Sequence, residues 1–572
     1  MSPPTLTPPP APPAGPHATL HDAVLAWARQ SPARIFCHYR TASDVSALSY
    51  GELADGARRF AALYRHSGLQ PGETVSIVLG HGPAQAQAFI GAQLGGWVPS
   101  FGAPPNPRQD AGHYWQQWRA QCQRVQGGAL LTSGELAVPM SHAIAGTGIR
   151  LLRAEQLPAL GEDSAFRAVD SDIALLQHSS GTTGARKGVA LSHRAVLQQL
   201  SLYAQALGRR DDDVIVSWLP LYHDMGLISS FLLPLVSGIP LVQLDPFEWV
   251  ATPSSWLQAV AEHRGTLGWL PNFAFHFMAR MPLPAGVQAD LSSLRLLVNC
   301  SEPCKPEAFE LFVRRFAAAG LKREALQVCH AMAETVFAVT QTTPGRCLQP
   351  LAAGARALAE GRLEAPRDDA DSARLMPVGQ PLPGARVRVC DAHGQDLPAG
   401  RIGELVVEAP YLFSGYHREP GLTAAALHQG AYRSGDLGGW MDGQLVVTGR
   451  IKDLVIVNGR NFYLHDIETA ANTVASVKPG RCVAFGIYQA TTGSEAVHVV
   501  AEAAAPGVDA AGTARQVKQA VQDRLGLTVA RVRVVPGQWL VKTTSGKIAR
   551  GENRDKYLAE SRHAPEPAGS PS

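Results

Sequence analysis

The residues with the clearest chemical content are His178-Ser179-Ser180-Gly181-Thr182-Thr183-Gly184-Ala185-Arg186-Lys187-Gly188-Val189, which follow the apolar run Ile173-Ala174-Leu175-Leu176. A run of small residues lets main-chain N–H groups come close to phosphate oxygens. The hydroxyls of Ser179, Ser180, Thr182 and Thr183 and the ammonium of Lys187 add donors for the same oxygens. Gly-x4-Gly-Lys-Ser/Thr spacing is absent, so this is not a Walker-type loop. Taken alone, such a stretch also suits a surface turn, because Gly, Ser and Thr are common in loops.

Four more segments follow in order: His330-Ala331-Met332-Ala333-Glu334-Thr335, Tyr432-Arg433-Ser434-Gly435-Asp436-Leu437, Gly449-Arg450-Ile451-Lys452-Asp453 and Thr544-Ser545-Gly546-Lys547-Ile548. With the glycine-threonine loop they resemble the ordered motifs of the adenylate-forming superfamily, which includes acyl-CoA synthetases, luciferases and peptide-synthetase adenylation domains. The resemblance covers residues 18 to 557, and five ordered motifs are far more specific than one. Within the superfamily the chain is most similar to the fatty acyl-AMP ligases. The segment Trp218-Leu219-Pro220-Leu221-Tyr222-His223-Asp224-Met225-Gly226-Leu227-Ile228 resembles their acyl-site segment. Pro271-Asn272-Phe273-Ala274-Phe275 and Asn299-Cys300-Ser301-Glu302-Pro303 resemble two further signatures. Glu334 and Val378 lie 44 positions apart, a longer spacing than in acyl-CoA synthetases. Residues 345–375 thus stand where fatty acyl-AMP ligases carry an insertion.

The resemblance implies ATP and Mg²⁺ as cofactors and a role for each matched residue. Ser179, Ser180, Gly181, Thr182, Thr183, Gly184 and Lys187 would hold the phosphates. Ser301, Glu302, Pro303, His330, Ala331 and Thr335 would line the nucleotide. Asp436 would accept from the ribose hydroxyls, and Arg450 would reach ribose or phosphate. Glu334 would bind Mg²⁺, with Thr182 or Thr183 as hydroxyl partner. Lys547 would be catalytic, neutralising charge that grows on the α-phosphate during attack. Lys452 would be the hinge about which the C-terminal part swings. His223 would line or gate the acid carboxylate site, or serve as a structural hydrogen bonder. The apolar residues Leu227-Ile228 and Phe231-Leu232-Leu233 suit either a fatty-acyl tunnel or plain core. Two departures stand out: His330 replaces the family's adenine-stacking tyrosine, and Ala331 replaces the glycine after it.

These residues need a scaffold that brings distant segments together. Residues 19–30 read as a helix with Thr19 as cap, and Tyr50 to Tyr64 as a second. Val75 to Leu79 reads as a strand, and the helix-turn-strand rhythm continues to about residue 400. The stretch 345–375 is rich in Ala, Arg and Asp and shows no clear strand, whereas GARVRVCD and GRIGELVVEAP read as strands. The implied fold class is α/β. A large N-terminal domain of helix-flanked sheets plus a distorted β-barrel (18–451) is followed by the hinge and a small mobile α+β lid (453–557). Proline-rich residues 1–17 and residues 558–572 read as disordered ends.

Composition narrows the function classes. The chain has 572 residues, is 45% hydrophobic and 17% charged, and has net charge +3, which gives nucleic-acid binding little support. Eight cysteines have no CxxC pair and suit reduced cytosolic thiols, hence a cytoplasmic location. The most apolar stretch, 227–244, is interrupted by Ser, Pro and Gly, so it reads as core and no membrane span is expected. The expected reaction is adenylation of a medium- or long-chain fatty acid, then transfer to the phosphopantetheine thiol of an acyl carrier protein. The alternatives are an acyl-CoA or aryl-CoA synthetase, an amino-acid-activating domain, and a non-catalytic module that senses acyl-adenylate or docks a carrier. Lys547→Ala is expected to lose most adenylation while still binding ATP, as read by acyl-AMP formation beside nucleotide binding.

Overall fold

Thr19 and Asp22 exchange hydrogen bonds at the start of the first helix, Leu20–Gln30, in a reciprocal cap. Ser49 and Glu52 repeat this at Tyr50–His66, two residues longer than expected. The computed structural model describes residues 18–105, 111–125, 127–159, 172–178, 187–284, 289–457, 460–489, 494–542 and 548–563. The proline-rich arm 1–17, the loop residues Ser179 to Gly184, and Lys547 lie outside the described residues.

A nine-stranded sheet forms the backbone of the larger unit. Its six inner strands, Leu326–Ala331, Leu296–Asn299, Leu267–Leu270, Ile215–Ser217, Leu241–Leu244 and Ile35–Arg40, run parallel. Such strands are covered on both faces, which explains their near-continuous apolar character. A four-stranded parallel sheet, ordered Val98–Phe101, Thr74–Val78, Ala129–Thr132, Arg150–Arg153, packs beside it. The two strands read in the sequence, Arg386–Cys390 and Gly403–Glu408, join Ala431–Met441, Gln444–Arg450 and Leu427–His428 in a five-stranded antiparallel sheet.

Residues Ile173–His178 and Gly188–Ser192 pair antiparallel with His178 opposite Gly188. The glycine-threonine loop is therefore the connection of a hairpin. Its far end returns Lys187 beside the strand Gly415–Tyr416, which pairs with Val189 and Ala190.

From Leu454 onward the chain has cores of its own. One is built from Val455, Ile467, Val497, Val499, Val517 and Val521, and the other from Val483, Phe485, Val535 and Tyr557. Three strands, Val477–Gln489, Ser494–Ala503 and Arg531–Val535, carry the helices Leu464–Ala471, Ala510–Leu525 and Arg550–His563. The last helix runs to His563, so the ordered chain does not end at 557; Tyr557 and Leu558 hold this stretch against the second core.

The segment 345–375 corrects another expectation. Leu351–Gly354 and Ser372–Leu375 form an antiparallel ladder. Its composition is poor in strand formers, so local propensity hid it. Ala353 and Leu363 pack on Met441 and Val446, and Asp371 accepts from the amides of Arg356 and Arg367. No helix among the described residues is long and apolar enough to cross a membrane.

The acyl-site segment turns sharply at Gly226. A methyl group there would lie 2.3 Å from the Pro220 carbonyl oxygen, a backbone atom that cannot step aside. Gly226→Ala is expected to destabilise the protein by about 1–3 kcal/mol, seen as a lowered denaturation midpoint.

Candidate active site

One cleft is lined from both units. The larger unit contributes Lys187, His223, Asp224, Ser301, Glu302, Pro303, His330, Ala331, Glu334, Tyr416, Asp436 and Arg450. From residue 452 onward come Lys452, Tyr463, Asp466, Arg481, Lys542, Ile548 and Arg550. Segments hundreds of residues apart thus converge on one space, as the ordered motifs required.

Asp436 is the buried charge at its centre, 3% exposed. It sits opposite Arg450 on neighbouring strands, and Arg450 Nε donates to Oδ1 at 2.7 Å. His330 Nε2 approaches Oδ2 at 3.3 Å but is not aligned as a hydrogen bond, and that nitrogen is buried without a partner. Burial pushes the Asp436 carboxyl up, yet Arg450 and His330 beside it outweigh burial and hold it below the usual aspartate range. Burial, with Arg450 adjacent, lowers the pKa of Lys452.

Glu334 stands on the turn that follows the strand of His330 and Ala331. Its Oε1 accepts from the Tyr416 hydroxyl at 2.8 Å, and the Phe413 amide donates to its carbonyl oxygen at 2.8 Å. Burial, followed by the Glu334 charge, raises the Tyr416 phenol well above its ordinary value, so it remains a donor. Lys187 Nζ lies 4.5 Å above the Tyr416 ring. Val336, two residues on, has φ 64° and ψ −55°, with Phe337 N donating to Thr335 O at 2.7 Å. This is a strained γ-turn, uncommon for a β-branched residue.

Thr335 corrects an expectation. It is fully buried, and its hydroxyl contacts the carbonyls of Met332 and Phe337, so it fixes the turn rather than lining the nucleotide. Glu302 is partly committed as well, since its carboxylate accepts from Phe273 N at 2.9 Å and anchors the helix Asn272–Arg280. Ser301 holds φ 71° at the same rim.

His223 lines the cleft, and its main chain joins Pro220 O to Leu227 N. Asp224 accepts from Met225 N and caps the π-helical turn Met225–Leu232. Leu227, Ile228, Phe231, Leu232 and Leu233 are at most 1% exposed and belong to the main core. They pack as core and do not line the cleft. Phe273 and Phe277, each 42% exposed, give the cleft an apolar edge, backed by the buried stacked pair Trp218 and Trp249, 3.6 Å apart.

Across the hinge, Lys305 Nζ pairs with Asp466 at 3.3 Å, and Gln117 donates to Glu552 at 3.3 Å. Lys542 and Ile548 face each other in an antiparallel bridge at the ends of the lysine loop. Burial, then Arg481, pushes the Lys542 ammonium down to about 8. Tyr416 and Lys542 were missed in the sequence: Gly415, at φ 140°, marks a special turn but says nothing of its partners.

Residues 24–417 match the family of AMP-binding enzymes. The chain belongs to that family. This AMP-binding enzyme is 29% identical over 539 residues to the medium-chain-fatty-acid–[acyl-carrier-protein] ligase JamA of Moorena producens, covering 90% of each chain. It is 30% identical to the long-chain-fatty-acid–AMP ligase FadD26 of Mycobacterium marinum, over 86% of this chain and 88% of that one. A solved structure from structural and functional studies of fatty acyl-adenylate ligases from E. coli and L. pneumophila superposes with TM-score 0.86 at 25% identity, covering 96% of this chain and 99% of that one. The fold is thus that of the adenylate-forming enzymes, and the chain is an acyl-AMP-type ligase.

Removing the Arg450 guanidinium leaves Asp436 buried with weaker compensation. Because the folded carboxyl is depressed, its stabilisation is present above the ordinary aspartate value and lost as pH falls through the depressed one. Arg450→Met is expected to lower the denaturation midpoint at pH 7, with the gap from the parent enzyme shrinking as the pH approaches 3.

Proposed function

We propose that this enzyme activates a medium- or long-chain fatty acid as acyl-AMP and passes the acyl group to the phosphopantetheine thiol of an acyl carrier protein. The observation that carries the reading is the convergence of Lys187, Glu334, Asp436 and Arg450 with both flanks of the lysine loop on one cleft. The printed activities of the two relatives support the acid class and the carrier acceptor. The wall of Trp218, Trp249, Phe273 and Phe277 supports an apolar acyl chain.

In the first step a carboxylate oxygen attacks the α-phosphorus. A P–O bond forms, the bond to the β-phosphate breaks, and pyrophosphate leaves. The glycine-threonine loop cradles the phosphates through main-chain N–H groups, with Lys187 as a fixed cation at its end. Asp436 accepts from the ribose, and His330 offers its ring to the base. Lys547, on the loop between Lys542 and Ile548, bridges carboxylate and α-phosphate, where a developing charge rewards a positioned cation most. In the second step the thiol sulfur attacks the acyl carbon, AMP leaves with the bonding electrons, and the thiol proton passes to solvent.

Glu334 fits a magnesium ion. Its Oε1 is occupied by Tyr416, and among the described residues no donor reaches Oε2. No group of three or more His, Cys, Asp or Glu side chains converges among the described residues, so phosphate oxygens and water would complete the shell. When bound, the ion would neutralise charge on the phosphates that leave.

The acceptor assignment draws support from the insertion. Its short helix Ala355–Ala359 lies against the strand Arg460–Tyr463 beyond the hinge. Such a brace would limit rotation of the lid. Incubating enzyme, ATP and a fatty-acid panel with either holo carrier protein or coenzyme A tests the reading. Acyl-carrier should form at least tenfold faster than acyl-CoA; the reverse preference would make the enzyme an acyl-CoA synthetase.

A further inference from the structure

We infer that Tyr416 is a positioning residue that fixes the magnesium-bearing carboxylate and the phosphate-loop lysine relative to one another. The inference rests on the adenylation reading and adds a residue that neither the motifs nor the relatives' activities assign.

Three independent contacts meet at this residue, two of the side chain and one of the main chain. Its hydroxyl donates to Glu334 Oε1 at 2.8 Å. The face of its ring lies 4.5 Å from Lys187 Nζ. Its main chain pairs with Val189, and His417 N donates to Gly188 O at 2.7 Å, so the strand is pinned directly beside Lys187. The Phe413 amide holds the Glu334 carbonyl from the same segment. Phe413 packs on the Tyr416 ring at 4.9 Å and on Tyr432 at 5.5 Å, which restricts the phenol to this orientation.

The geometry has a direct chemical consequence. A carboxylate with one oxygen occupied by a phenol presents the other to a cation. Magnesium demands near-ideal geometry and tolerates a wandering ligand poorly. Hydrogen-bond partners of metal ligands are typically worth 10- to 100-fold in metal affinity or activity. The ring quadrupole also attracts the Lys187 ammonium to this place. Glu334 and Lys187 come from segments 147 positions apart, and Tyr416 is the side chain that touches both. The strained turn at Val336 locks the other side of Glu334.

The test uses the full-length enzyme and calorimetric titration of α,β-methylene-ATP with and without magnesium chloride, so no turnover is involved. The parent enzyme should bind the analogue more tightly with magnesium. Tyr416→Phe keeps the ring under Lys187 and loses the hydroxyl that donates to Glu334 and contacts the Tyr432 hydroxyl. It should leave magnesium-free affinity within about twofold and cut the magnesium-dependent gain by about tenfold or more, at an unchanged melting temperature. Tyr416→Leu should also weaken magnesium-free binding, because Lys187 loses its platform. A Tyr416→Phe enzyme with the full magnesium gain would overturn the inference. Glu334→Gln provides a second route: in that background Tyr416→Phe should add nothing, and additive losses would refute the coupling. Failure of the parent enzyme to bind the analogue at all would remove the adenylation reading, and the inference with it.

Discussion

A carboxylate buried to 3% exposure cannot remain charged without close compensation, and Asp436 obtains it from Arg450 on the next strand. The rest of the site is arranged around that pair. Arg450 is the last residue of its strand, and the turn 451–453 that follows is the expected hinge. The buried carboxylate and the turn 451–453 are therefore joined by one side chain. Beyond the pivot, Arg550 pairs with both Asp453 and Glu468, tying the helix after the lysine loop to the first residues of the lid. A rotation at 451–453 would carry the lysine loop as part of a rigid body. The guanidinium of Arg450 is itself about half exposed, so solvent screens part of its attraction.

Two strained backbone positions border the same cleft. Ser301 and Val336 both hold positive φ without being glycine, at 71° and 64°. Each lies beside a residue that lines the cleft, Glu302 in one case and Glu334 in the other. Backbone in such regions persists only where its surroundings over-determine it, and here the hydroxyl of Thr335 and the amides of Phe413 and Phe273 supply that determination. The cost is met by the large parallel core behind it.

What could be read in the sequence follows the range of each interaction. Lys187, Glu334, Asp436 and the Gly-Arg-Ile-Lys-Asp turn lie in short contiguous patterns, so the order of those patterns along the chain was enough to expect them at one cleft, which they line. Thr335 was misassigned because its motif neighbour Glu334 faces the cleft while a tight turn points Thr335 inward. Tyr416 was invisible because its partner lies 82 positions away and the contact exists only after the small sheet has formed. The apolar stretch after Met225 reads equally as tunnel or core at the level of periodicity, and only packing against the parallel sheet decides for core. The ladder in 351–375 escaped for the opposite reason: its residues have little strand propensity and are held by tertiary packing.

The proposed reaction makes a mixed anhydride before any thiol arrives. The most direct measurement is exchange of labelled pyrophosphate into ATP in the absence of every thiol acceptor. Label should enter ATP only when a fatty acid and magnesium are both present. Acid-independent exchange, or cleavage of ATP to ADP and phosphate in place of exchange, would contradict adenylation at this cleft.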